Sequence, residues 1–483
     1  MPDNCLAVGP MTSNPSPLAH PLFFCGIGGS GMLPLAMIAR GLGAEVAGSD
    51  RSRDQGRSPE KFAWLESKGI TLFPQDGSGV VSAEQVLVAS AAIEDTVPEV
   101  VKANELGCSR MTRAQLLSDL FNRSQCGIAV GGTSGKSTVT AMLGWILQAN
   151  GYGPTIMNGA VMKNFASDAE PFASAVVGDG DVFVSEVDES DGSIALYKPA
   201  ISVLLNVSLD HMPMEELRRL FRNFLRAGKA QAVNYDDEDA YFLSDGMKDV
   251  VSFAIHHPEA RFTVLEEGIA YRANGISALL VDRGDDDTVF PLRLGMPGLH
   301  NLSNALAAIA GAVAAGVPVH DACLALSTFK GLARRFDVIG TSPGGVTVID
   351  DFGHNPEKCR ATLRTLKAQP GRVIAFFQPH GYGPLRQMGH ELAKTFAREL
   401  GPDDVTILCD PVYFGGTVDR SEGSERIIDL INEGGGCAEH IPERAAVADR
   451  IVEIARPGDR VAVMGARDDT LTTFAKDLLA RLA

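Results

Sequence analysis

The amino-acid sequence predicts an α/β protein built from three consecutive domains. The chain has 483 residues, more than one hydrophobic core ordinarily organises. Two glycine-rich turns each follow a short apolar run and precede a helical stretch. Short apolar runs alternate with helical stretches again toward the end of the chain, a pattern typical of parallel sheets covered by helices.

The first domain is predicted over residues 1–125, with a Rossmann-like fold. A strand at 23–25 enters a glycine turn, a helix follows at 32–42, and further strands are expected at 45–50 and 85–89. The turn fits the pattern G-x-G-x-x-G at Gly26, Gly28 and Gly31, and Asp50 follows about twenty residues later. This pattern indicates a bound diphosphate, although such a turn also occurs for purely structural reasons.

The second glycine-rich turn opens a central domain, predicted over residues 126–331 as a P-loop ATPase-type domain. An apolar run at 127–130 leads into Gly-Gly-Thr-Ser-Gly-Lys-Ser-Thr, and a helix is expected at 139–147. Backbone N–H groups of such a loop surround an anion, and the helix N-terminus adds positive potential. Lys136 is expected to reach the outer phosphates of a nucleotide, and Ser137 to hold Mg²⁺. Val130 replaces the first glycine of the strict pattern, so the loop is a variant.

Polar residues follow two further strands of the central domain, predicted at 181–186 and 200–207. Glu186 ends the first strand and His211 follows the second, and ligand sites of open α/β sheets lie at such strand ends. A carboxylate and an imidazole beside a phosphate loop suit metal ions that bridge phosphates. The acidic residues Asp188, Glu189 and Asp191 fit a metal site or a solvated loop equally well.

The third domain is predicted over residues 332–483, again with a Rossmann-like fold. Strands are expected at 347–351, 372–377, 405–410 and 460–464, and helices at 356–368 and 471–482. Arg335 stands at the domain junction, where it would clamp a phosphate or remain a solvated arginine. Polar residues stand at the ends of the first two strands, in the segments 350–356 and 378–386, which suggests a pocket or ordinary polar loops.

Composition excludes several classes of function. A net charge of −17 argues against a nucleic-acid surface, and no apolar run reaches the roughly 18 residues of a membrane span. Residues 1–20 lack the features of a secretory signal. The eight cysteines are scattered singly, so we expect reduced thiols in a cytoplasmic protein. The expected partners are small molecules, with the protein a monomer or homodimer.

Taken together, these motifs resemble the Mur ligase family of peptidoglycan synthesis, nearly from end to end. The resemblance implies a binding site for a UDP-sugar in the first domain, for ATP in the central domain and for the acceptor in the third. The residues it assigns to the UDP-sugar are Gly26, Gly28, Gly29, Ser30, Gly31, Asp50 and Ser90. Those it assigns to ATP are Gly132, Thr133, Ser134, Gly135, Lys136, Ser137, Thr138, His300, Asn301, Asn304, Arg335 and Asp351.

The same resemblance implies a mechanism. ATP phosphorylates the carboxylate of UDP-N-acetylmuramate to an acyl phosphate, and the amine of an amino acid, expected to be L-alanine, displaces the phosphate. The implied catalytic residues are Lys136, Glu186, His211 and Arg335. The implied Mg²⁺ ligands are Ser137, Glu186 and His211. The implied acceptor-binding residues are His354, Asn355, His380, Tyr382 and Arg386.

One position departs from the family pattern. Alanine-adding members typically have arginine after Gln-Pro-His, where this chain has Gly381. A different amino acid or a peptide, as in muropeptide recycling, is therefore an alternative acceptor. A nicotinamide-dependent oxidoreductase built on the first glycine turn, and a regulatory relative without catalysis, are more distant alternatives. The first leaves the phosphate loop unexplained, and intact Lys136, Glu186 and His211 argue against the second.

Overall fold

The computed structural model describes residues 16–91, 93–208, 212–248, 250–272, 274–412, 422–466, 468 and 470–482. They form three sheets covered by helices, which confirms the predicted three-domain α/β fold. The chain divides into two compact units, of which one contains the first two sheets and the other the third. The second unit also includes two short segments, Ala270–Ile276 and Gly295–Asn301.

The first sheet has five parallel strands in the order β3-β2-β1-β4-β5. Its strands are β1 Leu22–Cys25, β2 Val46–Ser49, β3 Thr71–Phe73, β4 Val86–Ala89 and β5 Ser109–Thr112. Its helices are α1 Met32–Gly41, α2 Arg51–Asp54, α3 Pro59–Ser67, α4 Pro98–Leu106 and α5 Arg113–Asn122. The strand order changes direction at β1, so the carboxyl end of β1 is the point where such sheets bind ligands.

The central sheet is mostly parallel around β6, whose neighbours are β9 and β10. Its strands are β6 Cys126–Gly131, β7 Thr155–Met157, β8 Ala175–Val176, β9 Val182–Glu186, β10 Ile201–Leu204, β11 Ala230–Asn234, β12 Val250–Phe253, β13 Phe262–Val264, β14 Ala270–Arg272, β15 Gly275–Asp282 and β16 Thr288–Leu294. Its helices are α6 Lys136–Ala149, α7 Met214–Ala227, α8 Glu238–Leu243, α9 Leu299–Ala314 and α10 Val319–Leu326. The strand β15 pairs antiparallel with β13, an extension that the sequence analysis did not predict.

The first and central sheets share one hydrophobic core. The ring of Phe121, on α5, packs edge-on against Phe183 on β9 and Tyr197, with centroids 5.6 and 5.2 Å apart. The indole of Trp64, on α3, donates a hydrogen bond to the carbonyl of Ala169 at 3.2 Å. These contacts fix the first domain against the central one.

The third sheet has the strand order β17-β18-β22-β19-β20-β21. Its strands are β17 Asp337–Thr341, β18 Thr347–Asp351, β19 Val373–Gln378, β20 Val405–Leu408, β21 Ala438–His440 and β22 Arg460–Gly465. Its helices are α11 Pro356–Lys367, α12 Tyr382–Glu399, α13 Ser424–Glu433, α14 Arg444–Ile454 and α15 Thr470–Arg481. All neighbours are parallel except the edge strand β17, which the sequence analysis also missed.

Among the cysteines of the described residues, six are free thiols, and four of these are buried. No helix in the described part of the chain combines the length and apolar composition that a membrane crossing requires.

Candidate functional site

The carboxylate of Asp50 holds the glycine turn that follows β1. Its Oδ2 accepts a hydrogen bond from the N–H of Gly28 at 2.8 Å, and its Oδ1 accepts one from the N–H of Ser52 at 2.7 Å. A Cβ on Gly28 would lie 2.9 Å from the Phe62 ring and 3.0 Å from Asp50. The second glycine of the motif therefore permits this close approach, and Asp50 fixes the shape of the turn.

The other residues predicted to bind the UDP-sugar lie at the same edge of the first sheet. Gly26, Gly29, Ser30 and Gly31 connect β1 to α1, and Ser90 follows β4, the neighbour of β1. Gly29, Ser30 and Ser90 are exposed to solvent. The structure thus brings the whole predicted set to one accessible edge.

The phosphate loop connects β6 to α6 and is braced by the next strand. Asn206, which follows β10, accepts hydrogen bonds through Oδ1 from the hydroxyl of Thr133 and the N–H of Ser134, each at 2.8 Å. Gly135 has a φ of 89°, a left-handed conformation that glycine adopts without strain. A Cβ there would lie 2.6 Å from Oδ1 of Asn304, so this predicted ATP-binding asparagine adjoins the loop.

The ammonium group of Lys136 is enclosed at the loop. It donates hydrogen bonds to Oε2 of Glu189 at 2.6 Å and to the carbonyl of Gly132 at 2.7 Å. The side chains of Lys136 and Glu189 are only 19% and 5% exposed, so the pair is largely shielded from solvent. A phosphate that binds Lys136 therefore competes with Glu189 for the ammonium group. The sequence analysis had left Glu189 open between a metal ligand and a residue of a solvated loop, and in the structure it is the ionic partner of Lys136.

Ser137 and Glu186 meet as the metal prediction requires. The Ser137 hydroxyl donates to Oε2 of Glu186 at 2.6 Å. A Cβ on Gly159 would lie 2.4 Å from Oε1 of Glu186 and 3.7 Å from Oγ of Ser137, so this glycine keeps the space beside both oxygens clear. Hydroxyl and carboxylate oxygens are ligands that Mg²⁺ prefers, so the pair fits the ion.

The remaining predicted metal ligand, His211, lies outside the described residues. Among the residues that the structure does describe, no group of three His, Cys, Asp or Glu side chains is arranged to hold a metal ion. The metal set predicted from the sequence therefore stays a prediction, supported by the Ser137–Glu186 geometry.

The acidic loop after β9 is ordered by its own turns. Asp188 accepts hydrogen bonds from the N–H and hydroxyl of Ser190 at 3.0 and 2.7 Å. Burial acts to raise the pKa of Asp188, but the Ser190 hydrogen bonds and the charges of Lys136 and Arg113 lower it below its ordinary value. Asp188 therefore stays ionised beside the phosphate loop.

The start of α9 carries two further residues predicted to bind ATP, His300 and Asn301. Asn301 is buried, and its amide nitrogen donates to the carbonyl of Pro297 at 2.7 Å. His300 lies beside Gly298, whose Cβ would approach the imidazole to 2.7 Å. Asn301 thus helps to shape the helix start, and contact of either residue with nucleotide stays a prediction.

Asp351 organises the turn that carries Arg335. Its carboxylate accepts hydrogen bonds from the N–H groups of Phe336 and Gly353, each at 2.8 Å, and from the Thr362 hydroxyl at 2.9 Å. The guanidinium of Arg335 lies over the Phe352 ring, 4.8 Å from its centroid. Asp351, which the resemblance assigns to ATP, therefore positions protein groups in this structure.

The two predicted acceptor-binding histidines come together at the carboxyl edge of the third sheet. The rings of His354 and His380 lie 5.3 Å apart at 88° and line one small cavity with Pro384, Leu385 and Met388. Burial, with smaller effects of nearby cations, lowers the pKa of His354 to about 3. The imidazole of His354 is therefore neutral at physiological pH.

The other predicted acceptor-binding residues lie on flanking elements. Asn355 caps α11 by accepting a hydrogen bond from the N–H of Lys358 at 2.9 Å. Tyr382 begins α12 and Arg386 is exposed on its second turn.

Gly381 has φ 139° and ψ 159°, a conformation essentially restricted to glycine. Arginine at this position would therefore require a different loop conformation.

Comparison with known proteins gives the class. Three family models match: "Mur ligase family, catalytic domain" over residues 22–125, "Mur ligase middle domain" over 130–312, and "Mur ligase, glutamate ligase domain" over 334–467. The chain belongs to the Mur ligase family, and the membership predicted from its motifs is confirmed.

Relatives extend this likeness over almost the full chain. The UDP-N-acetylmuramate–L-alanine ligase of Pelotomaculum thermopropionicum is 33% identical over 463 residues, covering 92% of this chain and 94% of its own. That of Jannaschia sp. is 34% identical and covers 96% and 95%. The crystal structure of UDP-N-acetylmuramate-alanine ligase from Thermotoga maritima aligns with a TM-score of 0.78 at 25% identity, covering 96% and 99%. A murein peptide ligase from Psychrobacter arcticus shares the fold, with a TM-score of 0.68 at 24% identity.

Proposed function

We propose that this protein joins L-alanine to UDP-N-acetylmuramate in an ATP-dependent reaction of peptidoglycan synthesis. The observation that carries the proposal is the phosphate loop, in which Lys136 pairs with Glu189 and Ser137 contacts Glu186, in a chain whose relatives bear the name of that ligase. In the proposed assignment, residues 1–125 bind the UDP-sugar, 126–331 bind ATP, and 332–483 bind the amino acid. The nucleotide substrates place the reaction in the cytoplasm.

The first step transfers the γ-phosphoryl group of ATP to the muramoyl carboxylate, forming an acyl phosphate and ADP. Lys136 neutralises negative charge on the outer phosphates once its ammonium group has separated from the Glu189 carboxylate. Arg335 is the second cation that the proposal assigns to ATP. Ser137, Glu186 and His211 would hold Mg²⁺, which supplies charge neutralisation to the transferring group.

The second step forms the amide. The uncharged amine of the amino acid attacks the acyl carbonyl, loses a proton, and inorganic phosphate leaves. His354 and His380 line the acceptor side, and Arg386 pairs with the amino-acid carboxylate. The neutral His354 imidazole presents a hydrogen-bonding group without placing a positive charge beside the incoming amine.

The test is a ligation assay with ATP, Mg²⁺, UDP-N-acetylmuramate and one acceptor at a time. We expect release of phosphate. We also expect a product whose mass exceeds that of UDP-N-acetylmuramate by the mass of L-alanine minus one water molecule. Tripeptide acceptors in parallel test the alternative that Gly381 opens the loop to a peptide. Product with a peptide but none with L-alanine would refute the proposed acceptor, whereas binding of NAD in preference to the UDP-sugar would refute the proposed class.

A further inference from the structure

We propose that Arg113 binds the diphosphate of the sugar nucleotide, an assignment that rests on the proposed function. Arg113 begins α5, directly after β5. Thr112, the last residue of β5, pairs with Ala89 of β4, whose other neighbour is β1. Arg113 therefore stands at the same carboxyl edge as the glycine turn, two strands from it, or roughly 10 Å in the hydrogen-bonding direction.

The Arg113 side chain bridges that distance and lies on the turn itself. A Cβ built on Gly31 would lie 3.0 Å from Cδ of Arg113, and 3.4 Å from both Nε and Nη1. Gly31 has φ −98° and ψ −21°, which any residue adopts, so its backbone does not require glycine. The third glycine of the motif instead leaves room for the edge of the Arg113 guanidinium.

The Arg113 guanidinium has no direct polar partner among the described residues. It makes no hydrogen bond or ion pair with any residue that the structure describes, although the side chain is only partly exposed. Its charge is felt by Asp188 and Tyr197, but it forms no ion pair with Asp188. A partly buried arginine of this kind has its donors available for an anion.

The geometry favours a diphosphate. The Nε–H and one Nη2–H of arginine are parallel donors that match two oxygens of a phosphate. The edge of Arg113 that lies on Gly31 is the other one, formed by Cδ, Nε and Nη1, so this contact leaves the parallel donor pair uncovered. Lys61 adds a second cation, since its ammonium donates to the carbonyl of Gly28 at 3.4 Å. The turn thus has basic groups at Gly28 and Gly31, as a doubly charged ligand requires.

Calorimetry of the full-length protein tests the assignment, with UDP, UDP-N-acetylglucosamine and UDP-N-acetylmuramate as probes. Arg113→Ala should weaken all three at least about tenfold, because it removes a charge-assisted bidentate contact, while ATP affinity stays unchanged. Arg113→Lys should restore part of the loss. Gly31→Ala should reproduce it by displacing the guanidinium, and the double variant should be no worse than Arg113→Ala. Arg110→Ala, which removes an exposed arginine of β5 that pairs with Asp95, is the matched control.

Each other outcome is decisive. UDP binding that is unchanged in a folded Arg113→Ala protein would overturn the inference. Weakened binding of UDP-N-acetylmuramate alone would also overturn it, and would assign the guanidinium to the muramoyl carboxylate, which the other two probes lack. Wild-type protein that binds none of the three would instead refute the proposed function, so the two failures are distinguishable.

Discussion

The hydroxyl of Ser137 and the carboxylate of Glu186 lie 2.6 Å apart, and Gly159 keeps the adjoining space open. The first residue belongs to α6, the second ends β9, and the third follows β7, the neighbour of β9. Three separate parts of the sequence therefore meet beside the phosphate loop, where Gly159 has no side chain to crowd the two oxygens.

Gly159→Ala should raise the Mg²⁺ concentration needed for half-maximal ligation, because the added methyl occupies the space next to Oε1 of Glu186. We expect a change of about fivefold or more and little change in the KM for the UDP-sugar. Gly401→Ala is the control, since its nearest neighbour lies 3.6 Å from the new Cβ. Equal Mg²⁺ dependence in both variants would show that Gly159 borders no metal site.

Glu186→Ala and His211→Ala should each raise the Mg²⁺ requirement more than the KM for the UDP-sugar. The reason is that both are assigned to the ion rather than to the sugar nucleotide. For each variant, steady-state titrations give the Mg²⁺ concentration needed for half-maximal ligation and the KM for UDP-N-acetylmuramate. If Mg²⁺ dependence were unchanged, the ligand role would pass to Asp188 or Glu189.

Lys136→Ala should abolish ligation, measured as phosphate release at saturating substrates. It also leaves the Glu189 carboxylate buried without its cation, which costs roughly 3–5 kcal/mol of stability. Lys136→Met combined with Glu189→Gln should recover the melting temperature but no activity. Near-normal turnover in either protein would contradict the phosphate role of Lys136.

Arg386→Ala should raise the KM for the amino acceptor about tenfold or more, since a charge-assisted pair is worth about 1.5–3 kcal/mol. The KM for ATP should not change. Arg398→Ala, another exposed arginine on α12, provides the control. Equal acceptor KM values for the two variants would remove Arg386 from the acceptor site.

The His354 imidazole should remain neutral down to about pH 4, which NMR titration of its ring protons measures. Its pKa of about 3 in the folded protein lies below the ordinary 6.5, so the unfolded chain binds a proton first as pH falls. His354 therefore contributes stability above about pH 6.5 that is progressively lost toward pH 3. Between pH 6.5 and pH 3, the melting temperature of His354→Gln should therefore fall less than that of the wild type. A wild-type His354 ring that titrates near pH 6.5 would contradict the lowering of its pKa by burial.

Sequence patterns predicted the parallel strands that border the glycine turns, because buried parallel strands are continuous apolar runs. They did not predict β13, β15 or β16, in which an antiparallel extension depends on pairing between distant segments. The same limit applies to the candidate site. Lys136 and Ser137 follow from local spacing, but Gly159 and Arg113 gain their positions only from the order of strands in the sheets.

Under the proposed function, the ion pair between Lys136 and Glu189 makes nucleotide binding an exchange of ionic partners. Once phosphate had taken the ammonium group, a carboxylate that is 5% exposed would be left without a cation, and a bound divalent ion would restore the balance of charge. Each ligand would thus lower the cost of binding the other, and the coupling free energy would be the same in both directions. Nucleotide without Mg²⁺, or Mg²⁺ without nucleotide, would meet a site whose charges are already balanced.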